Sequence, residues 1–225
     1  MHKAYFFDMD GVLFDSMPNH AAAWEQVMSA HGLRFTARDC YLQEGRTGQD
    51  VINEAILHTH HRPATEDEIH TIYREKSDAF HARGGALPMR GIHDVLHFLR
   101  NSSVDGLTPQ IWIVTGSGQQ TLFDTLEQHF PGVFTRAHMV TAFDVTHGKP
   151  DPEPYLRAWQ GSGLPKADCC VIENAPLGIR AAKAAGLYAI GVNTGPLLPE
   201  DLAREGADLV LPDMPALLHH LRQSV

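Results

Sequence analysis

Tyr5-Phe6-Phe7-Asp8-Met9-Asp10-Gly11-Val12-Leu13-Phe14-Asp15-Ser16 begins as a strand and ends as something else. The apolar run Ala4 to Phe7 suits a fully buried strand. It stops at Asp8, and a second carboxylate follows at Asp10. Residues two apart in an extended chain point to the same side, so this pair faces one point beyond the strand end. Gly11 then permits backbone geometry that other residues resist. In open α/β sheets, ligands gather beyond the carboxyl ends of the strands. Two carboxylates there can hold a cation, or divide nucleophile and acid/base roles. An isolated Asp-x-Asp can equally be a turn.

The rest of the chain sets the context. Between Met17 and Gly85 the periodicity predicts helices and no strand. They fall near Met17–His31, Thr36–Tyr41, Gln49–Leu57 and Thr65–Ala82. Ser16 or Asn19 is the expected cap of the first, and Thr65 with Glu68 forms a capping box at the last. After Gly91–Arg100, strands and helices alternate. Strands are expected at Ile111–Val114, Ala137–Val140, Cys169–Ile172, Leu187–Val192 and Asp208–Leu211. Helices are expected at Gln119–His129, Pro152–Trp159, Leu177–Ala185 and Met214–Arg222. This order implies a parallel sheet with helices on both faces. The fold class is α/β: a Rossmann-like core of residues 1–16 and 87–225, with an inserted α-helical domain at 17–86.

Composition narrows the function classes. At 225 residues, 43% hydrophobic and 20% charged, the chain can bury a sizeable core. A net charge of −9 argues against a dedicated nucleic-acid or anionic-membrane surface. No apolar run reaches the ~18 residues of a membrane span, and no leader precedes the first strand. The expectation is a cytoplasmic monomer without nucleic-acid or membrane partners. Cys40, Cys169 and Cys170 show no zinc or disulfide spacing. His58, His60 and His61 read as a solvated helix end.

Three later stretches repeat the pattern of oxygen or nitrogen side chains at a strand's end. Thr115-Gly116-Ser117-Gly118 offers a hydroxyl and backbone N–H groups at a helix start, an anion seat or merely a capped turn. Gln119, Gln120 and Thr121 supply no third glycine, which discards a dinucleotide fingerprint. Lys149, before Pro150, is held out of a helix. Its ammonium could neutralise a phosphoryl oxygen or Asp8, or could simply be solvated. Glu173 and Asn174 follow Val171-Ile172 and suit a hard cation such as Mg²⁺, or a helix cap.

In this order, the four stretches resemble the four motifs of the haloacid dehalogenase (HAD) superfamily. The insertion after the first motif resembles the helical cap of its β-phosphoglucomutase-like branch. The resemblance implies that Asp8 is a nucleophile forming an aspartyl phosphate and that Asp10 is general acid, then base. It implies that Thr115, Gly116, Ser117 and Lys149 hold the transferring phosphoryl group of a small phosphorylated substrate. Mg²⁺ would lie on Asp8, the Asp10 carbonyl and the acidic fourth motif. The departure is Asn174, where the family commonly has a second acid. Glu44, in Leu42-Gln43-Glu44-Gly45-Arg46-Thr47-Gly48, is the expected replacement. That segment and Glu173-Asn174-Ala175-Pro176-Leu177-Gly178 resemble an inorganic pyrophosphatase of the same branch, with Arg46 and Lys76 on the second phosphate. His20 and Lys76 also stand where the phosphoglucomutases have a cap-hinge histidine and a cap lysine. The mutases' phosphate-gripping arginine falls here on Gly48. β-Phosphoglucomutase, a sugar- or polyol-phosphate phosphatase, and a non-catalytic phosphate-binding module are the alternatives.

Overall fold

The computed structural model describes residues 1–84, 86–118 and 122–224. Among these, six parallel strands form one sheet in the order β3-β2-β1-β4-β5-β6. The strands are β1 (Ala4–Phe7), β2 (Gln110–Val114), β3 (Met139–Val140), β4 (Cys169–Glu173), β5 (Tyr188–Val192) and β6 (Leu209–Leu211). β1 is central, with Phe7 in register with Ile113 of β2 and Ile172 of β4. All four of its residues are buried because helices cover both sides of the sheet.

Side-chain alternation sorts each strand into two cores. Tyr5, Phe7, Ile113, Cys170 and Ile172 pack on one face against residues of α5 (Ile92–Arg100), α6 (Leu122–His129) and α10 (Met214–Gln223). Phe6, Trp112, Cys169 and Val171 pack on the other against α7 (Glu153–Ser162), α8 (Pro176–Ala184) and α9 (Pro199–Arg204). Each large apolar side chain buried this way contributes about 1.5–3 kcal/mol. The adjacent cysteines thus serve opposite cores.

Between β1 and α5 lie α1 (Met17–Ala30), α2 (Ala37–Leu42), α3 (Gly48–His60) and α4 (Glu66–His81). They enclose a third core built on Trp24, Met28, Ile52, Ile56 and Ile72. Thr36–Asp39 and Thr65–Glu68 close capping boxes at the starts of α2 and α4. Phe14 bridges Pro88 where the chain leaves the sheet and returns.

Some elements differ from expectation. Arg136–His138 wind into a 3₁₀ turn, which shortens β3 to two residues. α9 was not expected. Ser16 precedes α1 but makes no side-chain cap, because its hydroxyl is engaged elsewhere. The expected helix start at Gln119 lies outside the described residues. His58, His60 and His61 end α3, all at least partly exposed. Among the described residues, no helix is long and apolar enough to cross a membrane.

Candidate active site

The sheet delivers its strand ends to one place. Asp8 follows β1, Thr115 follows β2, and Glu173 ends β4, so neighbouring parallel strands set these three side by side. Asp8, Thr115, Lys149, Glu173 and Asn174 are all buried. Asp8, Asp10 and Thr115 line a cavity of about 600 Å³, and Glu44, Arg46, Lys76 and His20 line it from the helical side. The residues drawn from the four motifs and the insertion therefore converge.

Lys149 is the electrostatic centre. Its ammonium donates to Asp8 Oδ1 at 2.5 Å, to Glu173 Oε1 at 2.6 Å and to the Val114 carbonyl at 3.0 Å. Those three bonds use every donor an ammonium has. The Tyr155 hydroxyl donates to the same Glu173 oxygen at 2.7 Å, and Lys149 lies 5.0 Å from the centre of the Tyr155 ring. The other Glu173 oxygen accepts from the Asn174 and Ala175 amides. Glu173 is the expected metal ligand whose oxygens already have protein donors. Burial pushes the Asp8 carboxyl up to about 8, against the pull of Lys149, while Glu173 and Asp10 push it the same way as burial. Burial opposes the Lys149 charge, but Asp8 and Glu173 outweigh it and hold the ammonium charged.

Asp10 has a different surrounding. The Ser16 hydroxyl donates to its Oδ1 at 2.5 Å, and His20 Nε2 lies 3.5 Å from the same oxygen. Burial would raise this carboxyl, but His20, Ser16 and Lys76 together lower it. His20 stacks on Phe80 and meets Lys76 through Nδ1 at 2.8 Å. Thr115 Oγ1 accepts the Ser117 amide at 3.0 Å, which shapes the turn Thr115-Gly116-Ser117 beside the cavity.

The helical insertion reaches into this cluster. Glu44 Oε2 accepts from Asn174 Nδ2 at 2.9 Å. Burial raises the Glu44 carboxyl well above its usual range, and Asp8, Glu173 and Asp10 raise it further. Glu44 Oε1 and Asn174 Oδ1 are buried without a hydrogen-bond partner. Two orphaned hard oxygens beside Asp8 fit a cation of the Mg²⁺ type. Among the described residues, no three His, Cys, Asp or Glu side chains enclose a metal-sized space by themselves. The fit depends on the Asn174 amide as a donor.

Gly45 makes the approach possible. Its φ is +95°, and a Cβ there would meet Lys149 Cβ and Cδ at 3.1 Å. Gly45→Ala is therefore strained twice, in its backbone and against Lys149. The expected result is a variant with kcat/KM reduced on the order of tenfold to a hundredfold, from about 1–3 kcal/mol of strain. Steady-state kinetics beside a urea titration check it, and wild-type kinetics would show that Glu44 need not sit where it does.

Arg46 lines the cavity, but its guanidinium is paired with Glu54. Ser16 and Tyr155 are the site residues that sequence reasoning missed. Ser16 was visible as a polar residue after the first motif and was assigned to a cap. Tyr155 carries no local signal beyond its place on an expected helix.

The family model described as haloacid dehalogenase-like hydrolase matches residues 2–186. Fructose-1-phosphate phosphatase of Escherichia coli (strain K12) is 30% identical, over 85% of this chain and 98% of its own. β-Phosphoglucomutase of Bacillus subtilis (strain 168) is 27% identical, over 93% and 92%. A solved chain from Bacteroides vulgatus, with the provisional designation β-phosphoglucomutase, superposes with a TM-score of 0.91. It is 45% identical and the match covers 99% of this chain and 89% of that one.

Proposed function

The chain belongs to the haloacid dehalogenase-like hydrolases, and on that footing we propose a Mg²⁺-dependent phosphohydrolase whose substrate is inorganic pyrophosphate. Residues 17–86 act as a cap over the core of residues 1–16 and 87–225. The observation that carries the pyrophosphate reading is Lys76. The residue is 8% exposed and lines the same cavity as Asp8, and its ammonium is held by His20 and the rings of Trp24 and Phe80. Among the described residues no carboxylate forms an ion pair with it. A buried ammonium with no carboxylate at contact distance, only Asp10 acting on it from farther away, is a costly arrangement that a second phosphoryl group relieves.

In the first half-reaction an Asp8 oxygen attacks phosphorus. The bond to the bridging oxygen breaks, and the departing phosphate keeps the electron pair. Lys149, already on Asp8, supplies positive charge beside the transferring oxygens and can turn one of its three donors to them, and Thr115 stands at their other side, so positioning and charge neutralisation are prepared beforehand. In the second half-reaction Asp10 takes a proton from water, whose oxygen attacks the aspartyl phosphate and regenerates the Asp8 carboxylate. Ser16 and His20 hold Asp10 ready for that proton. A departing phosphate is a weaker base than an alkoxide and asks less of a general acid, which suits a carboxylate kept ionised.

Asp8, the Asp10 carbonyl, Asn174 and Glu44 would hold Mg²⁺, with Glu173 acting through Lys149 and the loop amides. Bound there, the ion supplies charge that lets a carboxylate approach a phosphate. Arg46, freed from Glu54, and Lys76 would bind the second phosphate. A specific observation favours a second reading. A cavity of about 600 Å³ flanked by Trp24, Tyr73 and Phe80 exceeds what pyrophosphate fills. A hexose or polyol phosphate would use that space, as the names of the relatives suggest.

The deciding measurement is phosphate release with Mg²⁺ from pyrophosphate and from hexose, pentose and polyol phosphates at one enzyme concentration. Pyrophosphate is expected to lead by about a hundredfold, roughly 2.7 kcal/mol of differential transition-state stabilisation. A leading sugar phosphate would transfer the assignment to the second reading. Glucose 6-phosphate formed from β-glucose 1-phosphate would make the enzyme a mutase. In Glu44→Ala the Mg²⁺ concentration for half-maximal activity should rise by about tenfold or more. An unchanged value would remove Glu44 from the ligand set.

A further inference from the structure

The cap carboxylate Glu44 is four residues beyond Cys40 on α2, and α2 is gripped by a part of the core outside the four motifs. That part is the loop 193–198 after β5, together with the start of α9. Leu197 leaves the core and is buried in the cap's own apolar cluster with Trp24 and Tyr41. Gly195 lies against the Tyr41 ring so closely that a Cβ there would sit 2.9 Å from Tyr41 Cε1. Arg38, also on α2, donates to Asp201 Oδ2 at 3.1 Å, and the Asp201 side chain is only 12% exposed.

The loop itself is anchored in the core. The Thr194 hydroxyl donates to the Gly11 carbonyl at 2.6 Å, inside the first motif. Asn193 donates from its backbone amide to Leu211 of β6 and from its side chain to the Leu197 carbonyl at 2.8 Å. A short chain of contacts therefore runs from the Asp8–Asp10 loop, through Thr194, to Tyr41 and then to Glu44. The contacts on α2 are of three kinds: an apolar side chain inserted in the cap, a ring on a glycine, and an ion pair. Shape alone makes the second specific, since only glycine leaves room for Tyr41.

We propose that loop 193–198 and Asp201 form a latch on the cap, and that Tyr41, Leu197 and the Arg38–Asp201 pair are positioning residues that seat Glu44 on Asn174. The latch stands on these contacts. Its catalytic consequence rests on the reading of Glu44 as a metal ligand.

Cys40 gives a direct readout. It is buried, lines the cavity from α2 and becomes accessible when α2 lifts, whereas Cys169 and Cys170 lie in β4 and react only on unfolding. The experiment follows thiol modification of the native full-length protein and, in parallel, the Mg²⁺ concentration for half-maximal phosphate release. Gly195→Ala should drive Tyr41 off the loop and speed Cys40 modification by roughly tenfold, the lower range for an overpacked contact. Cys169 and Cys170 should stay protected. Half-maximal Mg²⁺ should rise in step, with kcat at saturating Mg²⁺ changed less. Arg38→Ala should move both readouts the same way by about threefold, as suits a partly exposed pair. If all three thiols of Gly195→Ala react together, the variant has unfolded and Arg38→Ala decides. Wild-type Cys40 protection in the folded variants overturns the latch. Faster Cys40 modification with unchanged Mg²⁺ dependence keeps the latch and instead removes Glu44 from the metal.

Discussion

Asp8→Asn is expected to reduce phosphate release on the order of 10⁴-fold or more, about 5.5 kcal/mol or more of lost transition-state stabilisation. The amide keeps the shape of the carboxylate and its place at the end of β1, but lacks the anionic oxygen that bonds to phosphorus. The fold should tolerate the change. Burial, Glu173 and Asp10 all oppose a charge at Asp8, and only Lys149 supports one. The loss of that charge therefore removes an unfavourable burial as well as an ion pair. Lys149 keeps Glu173 and the Val114 carbonyl. Two measurements check this: release of phosphate from a chromogenic ester and from pyrophosphate, and acid-quench trapping of phosphoenzyme. Activity within tenfold of wild type, or a phosphoenzyme that persists in the variant, would place the nucleophile elsewhere. The trapped species also separates a catalytic site from one that only binds phosphate.

The order of strands and helices was legible because burial on both faces writes β1 and β4 as unbroken apolar runs. What failed to read was governed by tertiary contact. Ser16 has the chemistry of a cap, and the sequence holds nothing to say that Asp10 would take its hydroxyl instead. α9 is six residues long and has one fully buried apolar side chain, Leu202, so it lacks a periodic pattern. The cation at Arg46 was visible, but not that Glu54 would be its partner eight residues on, across the start of α3. Glu44 was the opposite case. Asn174 made the fourth motif one charge short, and a deficit at a known place directs attention to carboxylates that could restore it. Leu197 and Gly195 follow the last motif by about twenty residues and look like a plain turn. Their meaning depends on Tyr41, more than 150 residues earlier.

Lys149→Met is expected to do two separable things. The substitution keeps the length of the buried stem and removes the ammonium. Asp8 and Glu173 then share a site without their counter-charge, and Glu173 is 1% exposed. Breaking a buried pair by removing one partner costs about 3–5 kcal/mol. The loss is limited here because one carboxyl can take up a proton rather than stay ionised. Activity should fall on the order of 10³-fold, since the same ammonium neutralises the phosphoryl oxygens and holds Asp8 in line. The urea midpoint reports the first effect and phosphate release the second. The double variant Lys149→Met/Glu173→Gln distinguishes them. The Gln oxygen can keep the two loop amides while its NH2 turns to donate to the Tyr155 hydroxyl oxygen, and the site is left with one carboxylate fewer to neutralise. Stability should therefore recover by about half or more of the single-variant loss, as expected for groups in one network. Activity should not recover at all. If activity returned with stability, the role of Lys149 would be structural, and the phosphoryl oxygens would have to be met by Thr115, the neighbouring backbone amides and the metal alone.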